Sequence, residues 1–362
     1  LPTIEAAPVD GGGVDAGALP DANALDGSSV DPGACRVPTV PEAVCNGSSC
    51  PRYAVSTLLS SENVALTYPH GLALAGNWLY FAVQEATGQE PTDGRNFKGR
   101  GAIFRVDRQL RDGAVPVAVT GLEGRPRAIT AGFGSVYWAA ADPNNANKTV
   151  IYRLDDTVQC GPMTCPPPEV IGVVSQPVTT LVLPSADRVL AMTDSLISFQ
   201  KKPAEWVATK PLISKGGGHL AGLRGGAAFY ASGSTIEEVR PGETVLYAQS
   251  PPKFDDLDVA ATCTEAIGFS TASGTAFSKQ PANFLPITCT GACVNRLTFD
   301  GAIDEGFLYL AAPNTGGGLY RLPRNGGEGV KLIEGDFWDV AVEDDAIYGT
   351  DIDGYRIVRI AK

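Results

Sequence analysis

One phrase recurs from Tyr53 to the end of the sequence. It consists of a short apolar strand, a turn with Gly, Asp or Asn, a second strand ending in an aromatic pair, a polar turn, and a third strand carrying a basic residue. Aligned on the aromatic position, Tyr80, Tyr137, Leu190, Phe229, Ile267, Tyr309 and Tyr348 correspond, within LYFAV, VYWAA, VLAMT, AFYAS, AIGFS, LYLAA and IYGTD. Several are followed by a hairpin partner: AIFRVD at Ala102 to Asp107, VIYRLD at Val150 to Asp155, GLYRLP at Gly318 to Pro323 and RIVRIA at Arg356 to Ala361. A period of roughly 40 to 55 residues is too short for a copy to bury its own apolar face, so neighbouring copies must stack on one another.

Stacked small sheets arranged about an axis make a β-propeller, and the seven copies predict an all-β, seven-bladed propeller of four-stranded blades over residues 51–362. Gly at 42 and Pro at 27, with charged residues at only 19%, suit many short strands joined by tight turns. A ring must also close, or it leaves an open sheet edge. The seventh copy ends at Lys362 after three strands, and YAVSTLL at Tyr53 to Leu59 matches the outer strands PVAV at Pro116 to Val119 and VKLI at Val330 to Ile333. This N-terminal strand is therefore expected to complete the last blade. A β-sandwich followed by another β domain would explain the strands but not this remainder.

VYWAA…VIYRLD, LYLAA…GLYRLPRNGG and IYGTD…RIVRI resemble the YWTD-like and NHL-like propeller repeats, especially those of exported bacterial proteins. The resemblance covers nearly everything after residue 53. It implies a fold more firmly than a function, because such propellers bind proteins, peptides, sugars or RNA and a minority are enzymes. The Tyr-Trp-Thr-Asp string is degenerate in every copy.

Residues 1–50 differ in kind. Asp10, Asp15, Asp21, Asp26 and Asp31 are spread along Gly, Ala and Pro, a composition that buries too little apolar surface to offset chain entropy. It reads as a disordered acidic tether, similar in composition to those of exported proteins and lipoproteins of myxobacteria. Calcium repeats would need the denser Asp-x-Asp-x-Asp-Gly pattern. Eight cysteines in polar, turn-like sequence read as disulfides, with Cys45–Cys50, Cys160–Cys165 and Cys289–Cys293 as local bridges and Cys35 and Cys263 left for a long-range staple. Connectivity is not fixed by spacing, and zinc is the rival use of paired cysteines. These features predict a secreted or cell-envelope chain. No run of about 20 apolar residues occurs, and a net charge of −12 disfavours nucleic acid and anionic lipid.

The inner strand of each blade begins where the central channel opens, so residues at that position converge. Counting ten back from the aromatic mark gives His70, Arg127, Thr180, His219, Leu257, Phe299 and Trp338, with a register error of about one residue. Both histidines of the chain fall at this position. His70, Arg127, Thr180 and His219, walled by Phe299 and Trp338, would make a polar pocket for an anionic or aromatic ligand, or would only cap the channel with water and backbone hydrogen bonds. A lactonase-like metal site would need acids in the ring. The aligned positions hold none, but Asp256, Asp258, Asp300 and Asp339 stand close by.

Other signals are weaker. Asp351-Ile352-Asp353-Gly354 lacks the later ligands of a calcium loop and reads as a hairpin turn. No Gly-x-Ser-x-Gly elbow, phosphate-binding loop or cofactor motif is present. Asn46 and Asn147 head glycosylation sequons, and the segments Gln84 to Gly101 and Asp142 to Thr149 depart most from the repeat. The expected function is non-catalytic: recognition of a protein, peptide or glycan by the channel-mouth face. The alternatives are a structural subunit of an extracellular or envelope assembly, and a hydrolase or lyase using channel-mouth residues.

Overall fold

The computed structural model describes residues 35–39, 55–60, 69–84, 100–109, 117–119, 123–124, 126–142, 145–158, 166–203, 205–209, 211–212, 218–223, 225–249, 257–270, 276–279, 284–287, 289–291, 300–313, 317–324 and 327–362. All of them belong to one compact unit, Gly33–Lys362.

The strands, in chain order, begin with β1 (Val55–Ser60). The first sheet then holds β2 (His70–Ala75), β3 (Trp78–Gln84), β4 (Arg100–Asp107), β5 (Val117–Ala118) and β6 (Glu123–Gly124). The second holds β7 (Pro126–Gly132), β8 (Ser135–Asp142), β9 (Asn145–Asp155) and β10 (Glu169–Val174). The third holds β11 (Thr180–Ser185), β12 (Arg188–Met192), β13 (Leu196–Lys201) and β14 (Trp206–Ala208). The fourth holds β15 (His219–Gly222), β16 (Ala228–Ser232), β17 (Thr235–Arg240) and β18 (Glu243–Gln249). The fifth holds β19 (Leu257–Ala261), β20 (Ala266–Ser270), β21 (Ala276–Lys279) and β22 (Phe284–Ile287). The sixth holds β23 (Cys289–Gly291), β24 (Asp300–Ile303), β25 (Phe307–Ala312), β26 (Gly318–Pro323) and β27 (Gly327–Glu334). The last holds β28 (Phe337–Val342), β29 (Ala346–Asp351) and β30 (Arg356–Ala361), with β1 as its fourth strand.

The expectation of seven like, four-stranded blades is corrected. Among the described residues, six sheets are each built from one uninterrupted run of chain, and four of those six keep to four strands. The first adds β6 alongside β4, and the sixth adds β23, parallel to β27. The remaining sheet is composite: β1 pairs antiparallel with β30, Val55 opposite Ile360 and Ser60 opposite Arg356. A local sequence period registers the core hairpins of each copy. It carries no information about a two- or three-residue segment that joins an outer edge from elsewhere.

The second strand of each sheet is sandwiched between two neighbouring sheets, which is why its sequence is a continuous apolar run rather than an alternating one. β12 and β29 are buried along their whole length, and Tyr80, Leu190, Phe229 and Tyr348 are fully buried. Inner strands meet a neighbouring sheet on one side and the channel on the other, and β2 and β28 accordingly show the same alternating burial. Among the described residues, the core lies between sheets, in seven apolar clusters that each join two neighbours. The cluster of Leu58, Leu79, Phe81, Tyr348 and Ile357 joins the composite sheet to the first. Each buried Tyr or Phe contributes about 1.5–3 kcal/mol by leaving water.

Candidate binding face

Antiparallel alternation puts the start of every inner strand and the connection between second and third strands at one end of a sheet. The structure sets His70, Thr180, His219 and Leu257 as the first residues of β2, β11, β15 and β19, and Arg127 and Trp338 as the second residues of β7 and β28. Phe299 lies outside the described residues, directly before Asp300 at the start of β24. The expected one-residue error is visible in the sheets themselves, since bulges displace the register between Pro126 and Ala128 and between Phe337 and Asp339.

His70 is buried, and its Nε2 stands 2.7 Å from the Pro126 carbonyl of the second sheet. A carbonyl can only accept, so this nitrogen carries the proton. The backbone N–H of Gly71, at φ 61°, donates to Asp339 Oδ2 of the composite sheet at 2.9 Å. Thr350 fixes that carboxylate: its hydroxyl donates to Asp339 Oδ2 at 2.8 Å and accepts from the Asp339 N–H at 3.2 Å. Asp300 Oδ2 accepts from the N–H of Val340 at 2.9 Å. These contacts form a relay between inner strands, from the sixth sheet to the composite one, then to the first and the second. In the fifth sheet Asp258 Oδ2 lies 3.1 Å from His219 Nδ1 of the fourth.

Asp300 keeps some exposed surface, yet its carboxyl is withdrawn from water. That burial raises its pKa well above the ordinary carboxylate range, and the charges of Asp339 and Asp258 push the same way against the Val340 and Gly301 N–H groups. Three acids therefore share the mouth with the two histidines. Trp338 packs with Ile352 and Tyr355 at the turn after β29, where Tyr355 holds a left-handed φ of 44°.

The acids sit one position from the ring counted in the sequence, and their proximity was legible there; their use as links between sheets was not, since it depends on backbone N–H groups of another copy. Among the described residues, no group of three or more His, Cys, Asp or Glu side chains is disposed to hold a metal ion. The His219–Asp258 pair holds the imidazole Nδ1 against a carboxylate, the orientation a general base would take. β3 ends at this face, at Gln84, where the first divergent segment begins; the second, Asp142 to Thr149, is mostly the start of β9, with Asn145 opposite Asp142. Cys45, Cys50, Cys160, Cys165 and Cys293 lie outside the described residues, and Cys289 opens β23. The long-range pair is present: Cys35 is bonded to Cys263.

No family model and no curated protein matches the sequence. Solved structures do match the fold. The β-propeller domain of the Trilobed protease from Pyrococcus furiosus superposes with a TM-score of 0.57 at 11% identity, over 82% of this chain and 96% of that one. The WD40 β-propeller domain of Doa1 gives 0.56 at 11%, over 86% and 96%. YCF48 bound to D1 peptide gives 0.54 at 9%, over 90% and 98%. At such identity the likeness establishes a β-propeller and nothing finer.

Proposed function

We propose that this chain is a non-catalytic, extracytoplasmic propeller that binds a protein or peptide segment through the face where its inner strands begin. The observation that carries the reading is the convergence of Asp258, Asp300, Asp339, His70 and His219 on that face, held by links between sheets. Fixed carboxylates on a rigid rim suit a segment rich in Lys, Arg and backbone N–H donors, and the overall charge of −12 steers such a partner inward. YCF48, a propeller of similar fold, is known bound to a peptide, which supports this use of the scaffold. The Cys35–Cys263 bond supports an oxidising compartment, as does the resemblance of the repeats to exported YWTD-like and NHL-like propellers.

The test is a fluorescence-anisotropy titration with Lys/Arg-rich and Asp/Glu-rich peptides of equal length. Basic peptides are expected to bind at least tenfold more tightly, and the combined Asp258→Asn and Asp339→Asn variant to erase the preference. Equal binding of both peptide classes removes the mouth from consideration. A second reading, a structural subunit, draws on Val170 and Val173 of β10 and Leu246 of β18, exposed by 54%, 52% and 60% on outer strands.

A further inference from the structure

Residues 35–39 lie at the opposite end of the sheets from the binding face, along the connections between inner and second strands. Cys35 is bonded to Cys263, in the bend between β19 and β20. Arg36 pairs with Asp344, in the bend between β28 and β29, and Asp344 Oδ1 also accepts from the Thr39 N–H at 2.8 Å. Between them, the Pro38 carbonyl accepts from the N–H of Glu305, in the bend between β24 and β25, at 3.0 Å. Lys362 Nζ donates to the Thr39 carbonyl at 3.2 Å. The five residues thus form a strap across three consecutive sheets.

The bond has a seat made for it. A Cβ on Gly226, in the bend between β15 and β16, would stand 2.8 Å from Cys35 Sγ and 2.9 Å from Cys263 Cα. Both cysteines keep some exposed surface, so a reductant can approach. No strap residue belongs to any of the apolar clusters that join the sheets. Among the described residues, the strap is otherwise held by an exposed ion pair, three hydrogen bonds and the burial of Pro38, and the polar contacts are individually weak.

We propose that Cys35–Cys263 is a redox-operated latch: its reduction releases residues 35–39 from the hairpin face while the sheets stay folded. The co-reactant is a dithiol. Its thiolate attacks one sulfur, the other leaves as a thiolate and takes a proton, and the second thiol of the reductant resolves the mixed disulfide. The reductant becomes a disulfide, and Cys35 and Cys263 together gain two electrons and two protons. Release exposes the Asp344 carboxylate and the Glu305 N–H, and it removes one of the acceptors of Lys362.

Amide hydrogen exchange on the full chain, oxidised and after dithiol treatment, tests this. A Cys35→Ser/Cys263→Ser variant, in which only this bond is missing, serves as the second sample. The N–H groups of Thr39 and Glu305 are expected to exchange at least tenfold faster in both samples, Tyr230 and Ile347 on second strands to stay protected, and protection to return on reoxidation. Unchanged protection at Thr39 and Glu305 overturns the latch. So does a variant that fails to fold, or a loss of protection at Tyr230 and Ile347 together with the strap, since either makes the bond a staple of the whole ring.

Discussion

A residue's fate here depends on whether its charge has a partner across a sheet boundary. Asp304 is fully buried and its side chain is saturated. Oδ1 accepts from the N–H groups of Gly306 and Phe307 at 2.9 and 2.8 Å, and Oδ2 takes the Tyr309 hydroxyl at 2.7 Å and Lys362 Nζ at 2.9 Å. Asp304→Ala leaves a buried ammonium without its counter-ion, and a loss of about 3–5 kcal/mol is expected in urea unfolding. Asp300 is the opposite case. Because burial and two neighbouring acids raise its pKa, the folded chain binds more protons than the unfolded one between the ordinary carboxylate value and the raised one. Stability therefore falls as pH rises through that window. Asp300→Asn keeps an oxygen for Val340 and removes the charge, so it is expected to match the parent at low pH and exceed it above the window. Urea midpoints from acid to neutral pH check the sign; a variant weaker than the parent at neutral pH contradicts it.

At the level of the strand, the second strands were the legible part. Tyr80, Tyr137, Leu190, Phe229, Ile267, Tyr309 and Tyr348 all fall on them and are all buried, because burial on both faces leaves an apolar run that any alignment of the copies finds. The inner-strand starts were legible to within a bulge. What stayed hidden was long-range: the parallel pairing of β23, the strap of residues 35–39 inside a segment that composition assigns to a tether, and the carboxylate links of the mouth. Each depends on a partner far away in sequence, which no period encodes. Close approach between sheets is equally unreadable in advance. Gly172 of β10 faces Phe199 of β13, and a Cβ there would stand 2.2 Å from Phe199 Cε1. Gly172→Ala should push the second and third sheets apart at a cost of about 1–3 kcal/mol, seen as a lower melting temperature; an unchanged one means the ring moves aside freely.

For the whole molecule, everything depends on the seam at which the composite sheet meets the first. It is held at three levels: the Asp339–Gly71 hydrogen bond at the mouth, the cluster around Leu58 and Tyr348 within, and the Tyr348 hydroxyl donating to the Arg108 carbonyl at 3.2 Å near the other end. β1 supplies Leu58, 4% exposed, and covers the edge of β30. Without that cover, β30 would present a row of unpaired backbone groups to any passing strand. Leu58→Asp puts a carboxylate with no partner into this apolar cluster, at a cost of several kcal/mol by desolvation, more than one short strand recovers by pairing. The expected result is detachment of β1 with the other sheets in place: faster amide exchange along β30 and, by sedimentation, concentration-dependent association exceeding that of the parent. A variant that keeps both its β30 protection and the parent's sedimentation would mean that the six uninterrupted sheets and β28 to β30 hold the ring closed without the N-terminal strand.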